Sequence, residues 1–340
     1  MKKFILLYTI SLLFVGCNSR HDKDVTETSA VIVDVHIEDA TPFSLKASKV
    51  FSLEVKESFP GMIHKMQVVN DTIYIMDSAK APGLYAYNMD GCFLYVYENI
   101  GHGPEDFYRL SDFQISNDTI YLLDASGKKL LKLDKTGAFL SSNNLPYLVG
   151  SFALESDGSM WFDKGNSKIG DQSKLLYWKD GSFSSVLLIP EELENLTISP
   201  LNTLITYNET IHYLPPLENV IYECEKGEVE VVYSLDFGEN WPKNEFYSQN
   251  KHIHPFSLFR KLSDSGYIIE LNCLENEKYL HLNFSCNNSF YMFFYNKETT
   301  QQCLYGTLDK DRPLCLIDQK FYVAKETDDT YILVEYNIPI

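Results

Sequence analysis

Two stretches of the chain gather side chains capable of recognition or proton transfer. Residues 99–109 (NIGHGPEDFYR) carry His102, Glu105, Asp106 and Arg109. Residues 238–261 (GENWPKNEFYSQNKHIHPFSLFRK) carry Trp241, His252, His254 and Arg260. Imidazole, carboxylate, guanidinium and aromatic groups make a binding site when they converge on a concavity. Each also has a plainer use. Gly101-x-Gly103-Pro104 reads as a turn, with glycine for unusual backbone angles and proline for rigidity. It is not a phosphate loop, because no lysine follows and no strand-to-helix context surrounds it. Glu105 and Asp106 either bond the amides of that turn or contact a ligand. His252 and His254 put two imidazoles on one side of an extended segment. A metal needs a third ligand that the sequence does not nominate, so no metal site is expected. Trp241-Pro242 reads as a plug of its segment onto the protein surface before it reads as a sugar platform.

Catalytic chemistry is not nominated. There is no Gly-x-Ser-x-Gly, no His-Glu-x-x-His and no papain-like cysteine context. Asp77, Asp124 and Asp163 recur at strand ends, which a structural repeat explains better than paired-carboxylate hydrolysis. No catalytic residue and no cofactor is therefore expected. The favoured role is a non-enzymatic binding or interaction module. A lyase or hydrolase acting on a polysaccharide or peptide is the alternative, and a purely structural subunit a third.

The elements that must position these loops are written twice in the chain. Residues 70–98 read NDTIYIMDSAKAPGLYAYNMDGCFLYVYE, and residues 117–140 read NDTIYLLDASGKKLLKLDKTGAFL. Both run turn, apolar strand, Asp, loop, second strand, Gly-containing turn, third strand. The turn glycines Gly91, Gly137, Gly181 and Gly227 recur at intervals of 46, 44 and 46. A period in the forties with several strands per unit is the signature of a β-propeller. Asn70-Asp71 and Asn117-Asp118 are hairpin turns, since Asn and Asp tolerate left-handed backbone. Units are expected at about 61–99, 107–143, 151–189 and 201–237. After the irregular segment, a fifth resumes at 267–306. A sixth, 313–336, supplies three strands. Residues 31–37 and 49–55 are leftover N-terminal strands expected to join the last blade, with 49–55 completing it. The fold class is all-β, a six-bladed propeller of four-stranded antiparallel blades spanning 31–340, closed by an N-terminal strand. Stretches 99–109 and 238–261 then fall on connections from an outer strand to the next inner strand, on one rim of the central channel. The longer one is expected to overhang the channel mouth.

The N-terminus, MKKFILLYTISLLFVGC, has a charged start, an apolar run too short to span a bilayer stably, and a small residue before Cys17. This is similar to a bacterial lipobox. Residues 1–16 then form the signal peptide, Cys17 is the lipidation site, and 17–30 is a polar tether. The expected location is the cell envelope, anchored by lipid alone to the outer membrane. The net charge of −18 argues against nucleic acid. Six cysteines remain besides Cys17; their irregular spacing lacks CxxC, so most are expected as small buried hydrophobes, with one C-terminal disulfide left open.

These residues carry a family resemblance. Ile100-Gly101-His102-Gly103-Pro104-Glu105-Asp106-Phe107 is similar to the Gly-x-Gly-Pro-Gly-Glu-Tyr segment between blades of the six-bladed β-propeller lipoproteins of Bacteroidetes, distant kin of NHL-type propellers. Tyr233-Ser234-Leu235-Asp236-Phe237-Gly238, Glu277-Lys278-Tyr279-Leu280 and the lipobox-tether-strand order match too. Glu105 stands where that family usually has glycine. The resemblance implies a monomeric envelope protein that binds an unknown ligand or envelope partner. It implies no catalytic residue.

Overall fold

The structure is a computed structural model that describes residues 30–56, 60–167, 170–194, 196, 202–307, 312–327 and 331–340. The signal segment, Cys17 and the tether up to residue 29 lie outside the described residues.

Six antiparallel sheets follow one another along the chain. Their inner strands are Lys65–Val69, Leu110–Ser116, Ser151–Leu154, Leu204–Tyr207, Ile269–Glu275 and Pro313–Ile317. Each blade then runs outward through a second and third strand to a fourth. The expected two-residue turns form: Asn70, Asp71, Asn117 and Asp118 all have positive φ, which matches the right-handed twist of the flanking strands. Apolar clusters fill the junctions between neighbouring blades, so each sheet is buried on both faces. That is why alternation is blurred in the middle strands, such as Tyr279–Cys286, which is buried throughout.

The periodic glycines explain themselves at the blade junctions. Gly91, Gly137 and Gly227 each sit in the turn before an outer strand with φ near +80°. A Cβ on Gly91 would lie 2.3 Å from the Ser52 carbonyl oxygen of the sixth blade; on Gly137 it would lie 2.6 Å from the Tyr95 ring of the first. Gly181 has the same φ of +82° but open space around it. Gly181→Ala should therefore lose only the left-handed penalty, about 1 kcal/mol. Gly91→Ala should lose about 2–4 kcal/mol, because backbone must also move. Urea midpoints of the two variants measure the difference; equal losses would mean that the junction at Gly91 yields freely.

The N-terminal segment does more than close the ring. Ala47–Ser52 pairs antiparallel with Tyr331–Asn337 as the fourth strand of the sixth blade, as expected. Val31–Asp34 does not join that blade. It adds a fifth, parallel strand to the edge of Glu228–Asp236 in blade four. Thr41–Pro42 does the same to Gln302–Thr307 in blade five. The reason is apolar anchoring. Val33 and Val35 enter the cluster between blades four and five, Phe43 and Leu45 the next, and Leu53 the one after.

The irregular segment holds two short helices, α1 (Asn244–Asn250) and α2 (Pro255–Asp264). Pro255 opens α2 with His254 as its N-cap, and Gly266 follows its end at φ +75°. Leu258 and Leu262, one turn apart, bury against Ile189, Leu193 and Leu196. The helices thus pack on the neighbouring connection between blades three and four. No described helix is long and apolar enough to cross a membrane. The six described cysteines are all free; four are buried, and no disulfide forms among the described residues.

Candidate functional site

The inner strands surround a cavity of about 360 Å³ on the ring axis. It runs from His64, Asn202 and Arg312, just before their inner strands, to Val69, Asn208 and Ile317 at the other ends. Side chains at alternate positions of an inner strand point to the same neighbour, and here they form rungs between blades. Lys65 Nζ lies 2.5 Å from Asp112 Oδ1, and two residues on, Gln67 Nε2 donates to Gln114 Oε1 at 3.1 Å. Asp112, fully buried, also accepts from Ser151 Oγ at 2.7 Å and Phe152 N at 3.0 Å in blade three. Gln114 accepts from Thr206 Oγ1 in blade four at 3.1 Å, reaching past blade three, which supplies none of the cavity's lining. Asn202 spans the mouth from blade four to blade one, donating to the His64 carbonyl at 3.4 Å.

At the opposite end Glu275 is enclosed by Lys297 and His212. His212 Nδ1 lies 2.5 Å from Glu275 Oε2, and Lys297 Nζ donates to Oε1 at 3.0 Å while sitting 4.3 Å from the centre of the Tyr207 ring. A carboxylate out of water needs this degree of pairing. The cluster clamps blade four to blade five, and it leaves Glu275 without free capacity for a ligand cation.

The recurring aspartates are loop anchors. Asp77 accepts from the amides of Gly61, Met62, Ala79, Lys80 and Ala81 at 2.7–3.0 Å. Burial works to raise its carboxyl, but those amides prevail and hold it below the ordinary value. Asp124 likewise accepts from the backbone amides of Tyr108, Arg109 and Gly127. Asp163 takes the Gly165 amide at 2.6 Å and also accepts from Thr203 and Tyr213 of the next blade, and burial pushes its carboxyl up to about 6.

The eight rim residues all sit on the face that carries the outer-to-inner connections, and none of them lines the cavity. Asp106 is consumed by its own turn. Its Oδ2 takes the Gly103 amide at 2.7 Å, and a Cβ on Gly101 would lie 2.4 Å from that oxygen. Lys129 Nζ caps the carbonyls of Gly103 and Asp106. Glu105 bonds the turn through its carbonyl, which accepts from Tyr97, and leaves its carboxylate outside. His102 stacks on Tyr108 at 5.7 Å, and both are exposed. Arg109 is exposed. Trp241 is the plug: it stacks on Phe237 at 5.5 Å and packs against the cluster between blades four and five. His252 and His254 are exposed; His254 Nδ1 accepts from Phe256 N at 3.2 Å, and Arg260 pairs loosely with Asp264 at 4.0 Å. No cluster of residues able to hold a metal occurs among the described residues. Sequence reasoning missed His64, Asn202 and Arg312, whose only signal is their place just before an inner strand. It also missed the Lys65/Gln67 and Asp112/Gln114 rungs, whose signal is polar residues repeating two apart within otherwise apolar inner strands.

The two faces of the ring differ. Arg109, Arg260 and Arg312, the only arginines among the described residues, all lie on the face of the outer-to-inner connections. The exposed large apolar residues outside the outermost strands are Val55, Met62, Ile100, Tyr108, Leu148 and Phe256, and all belong to those same connections. The other face is made of short turns rich in Asn, Asp, Glu and Lys.

Six radially arranged four-stranded blades around an axial cavity define a six-bladed β-propeller. The chain belongs to the family described as "6-bladed beta-propeller", whose model matches residues 20–334. A solved structure of a protein described as exported, from Bacteroides fragilis, is similar: 17% identity, 90% of this chain and 99% of that chain covered, TM-score 0.76. So is a member of the DUF4221 family from Bacteroides vulgatus, at 9% identity, 86% and 97% coverage and TM-score 0.58. At these identities the likeness is one of fold. A search of the curated proteins found no match.

Proposed function

We propose that this protein is a lipid-anchored component of the cell envelope, and that its propeller is a non-enzymatic module binding a ligand or partner protein through the face of the outer-to-inner connections. The observation that carries the reading is the asymmetry between the faces. Arginine and exposed Tyr, Phe and Met gather on one side, and such residues are enriched where proteins bind each other. The lipobox-like start of the chain and the description of the Bacteroides fragilis relative as exported support the location. Of the rim residues, His102, Glu105, Arg109, His252, His254 and Arg260 are solvent-facing and available to contact a partner, whereas Asp106 and Trp241 support the loops.

The test is affinity purification of the anchored protein from its own envelope, comparing two folded double variants. Tyr108→Ser with Phe256→Ser should lose the copurifying molecule by about tenfold or more, as expected when interface anchors are truncated. Leu94→Ser with Leu140→Ser, on outer strands, should retain it. The reverse pattern would move the recognition surface to the outer wall.

A further inference from the structure

We propose that the end of the axial cavity at His64 and Arg312 binds the carboxylate of a small organic acid, with the remainder of that molecule lying between the inner strands. This rests on the recognition face proposed above and adds the chemistry of what enters its centre.

His64 and Arg312 occupy equivalent places: each immediately precedes the inner strand of its blade, in neighbouring blades one and six, and both line the cavity. His64 Nδ1 accepts the Ser78 amide at 3.1 Å, so the neutral ring carries its proton on Nε2 and is a donor there. Burial holds the imidazole below its ordinary value; Asp77 and a hydrogen bond to the Met62 backbone oppose this, and the charges of Arg312 and Arg109 reinforce it. Arg312 is exposed and has no ion-pair partner among the described residues. A guanidinium offers a planar fork of donors matched to a carboxylate.

The surroundings select for one negative charge. The other cation of the lining, Lys65, is committed to Asp112. Among the described residues, the carboxylate beside His64 is Asp77, 3.8 Å away and saturated by backbone amides. Among the described residues the lining holds one acid, Glu275, at the far end and held by Lys297 and His212. Between the ends the wall mixes amides and hydroxyls (Gln67, Gln114, Thr206, Asn272) with leucine and isoleucine. A cavity of about 360 Å³ is at the small end of the range for ligand sites. Among the described residues a cation meets no free acid here, and a doubly charged anion meets one guanidinium where it would need more. A free acid and the C-terminus of a peptide present the same group.

The experiment uses the chain purified in detergent. The probes are succinate, benzoate and a hexuronate, the amide of each, a short peptide with free or amidated C-terminus, and inorganic phosphate and sulfate, with binding read by calorimetry. At least one carboxylate should bind where its amide does not; whether that is a free acid or the peptide identifies the source. Arg312→Gln should weaken it about tenfold or more, with Arg312→Lys intermediate because it keeps charge but not the fork. His64→Gln, which keeps a donor, should weaken it less than His64→Ala. Three results would overturn the proposal: no acid or free peptide distinguished from its amide, binding unchanged in folded Arg312→Gln, or phosphate binding as tightly as the best carboxylate. Partner capture through Tyr108 and Phe256 is read separately, so loss of one reading leaves the other standing.

Discussion

Replacing His281 with leucine should make the protein markedly more resistant to acid. His281 is fully buried in the second strand of blade five. Its Nδ1 lies 2.9 Å from the Phe293 carbonyl, its ring 4.5 Å from that of Phe294, and its Nε2 has no partner. Burial lowers its pKa to about 3 from the ordinary 6.5. The sign follows from linkage. Above 6.5 neither folded nor unfolded chain protonates it. Below 6.5 the unfolded chain takes up a proton that the folded one refuses, so stability falls as pH drops towards 3. At pH 4.5 the loss from this one group is about 3 kcal/mol. Leucine is of similar volume and removes the titration, though it leaves the Phe293 carbonyl one bond short at a cost of about 1 kcal/mol. Urea midpoints should show wild type ahead at pH 7.5 and the variant ahead at pH 4.5. Asp163 works the other way, since its raised carboxyl favours the folded state as pH falls below about 6, but it is common to both proteins and cancels in the comparison. Curves that stay parallel across that range would show that the buried imidazole is not the acid-sensitive group.

The second large effect belongs to Asp112. Its carboxylate holds Lys65 from blade one and both Ser151 Oγ and the Phe152 amide from blade three. Asp112→Ala strands the Lys65 ammonium, whose side chain is only 12% exposed, beside an apolar replacement. Removing one member of a buried pair costs about 3–5 kcal/mol, mostly through the charge left behind. The companion Lys65→Met, Asp112→Ala should recover part of that loss, because neither charge is then buried alone. The pair of variants with Lys65→Met forms a cycle, and chemical denaturation should return a clearly non-additive sum. Additive losses would mean that solvent reaches Lys65 and supports it without its partner.

The blades could be read in advance because each is announced locally. Asn70-Asp71 and Asn117-Asp118 adopt the left-handed turns their chemistry favours, and the glycine period reflects a junction repeated from blade to blade. The closing role of the second N-terminal strand followed from counting three strands in the sixth unit. What escaped the sequence depends on long-range placement. Val31–Asp34 joins blade four through edge pairing and two buried valines, and its short alternating pattern names no partner. A short helix in the irregular segment is compatible with its sequence, but two helices of seven and ten residues are too short to show their bounds by a helical period among so many aromatics. Asp106 and Arg109 are both charged residues of one loop, yet one turns inward to its own amides and the other outward. Loop geometry decides that, and composition does not. His64, Asn202 and Arg312 come together from blades one, four and six, and nothing in their local sequence links them.

The N-terminal lacing has a mechanical consequence. Tension applied through residue 30 arrives first at Val31–Asp34, whose bonds to Glu228–Asp236 lie side by side and must fail together under a pull along the strand. Thr41–Pro42 stands behind it, and the ring's own seam at Ala47–Ser52 is loaded last. A pull on the N-terminus would therefore be absorbed at the periphery of two blades, leaving the joint that keeps the circle shut unstrained.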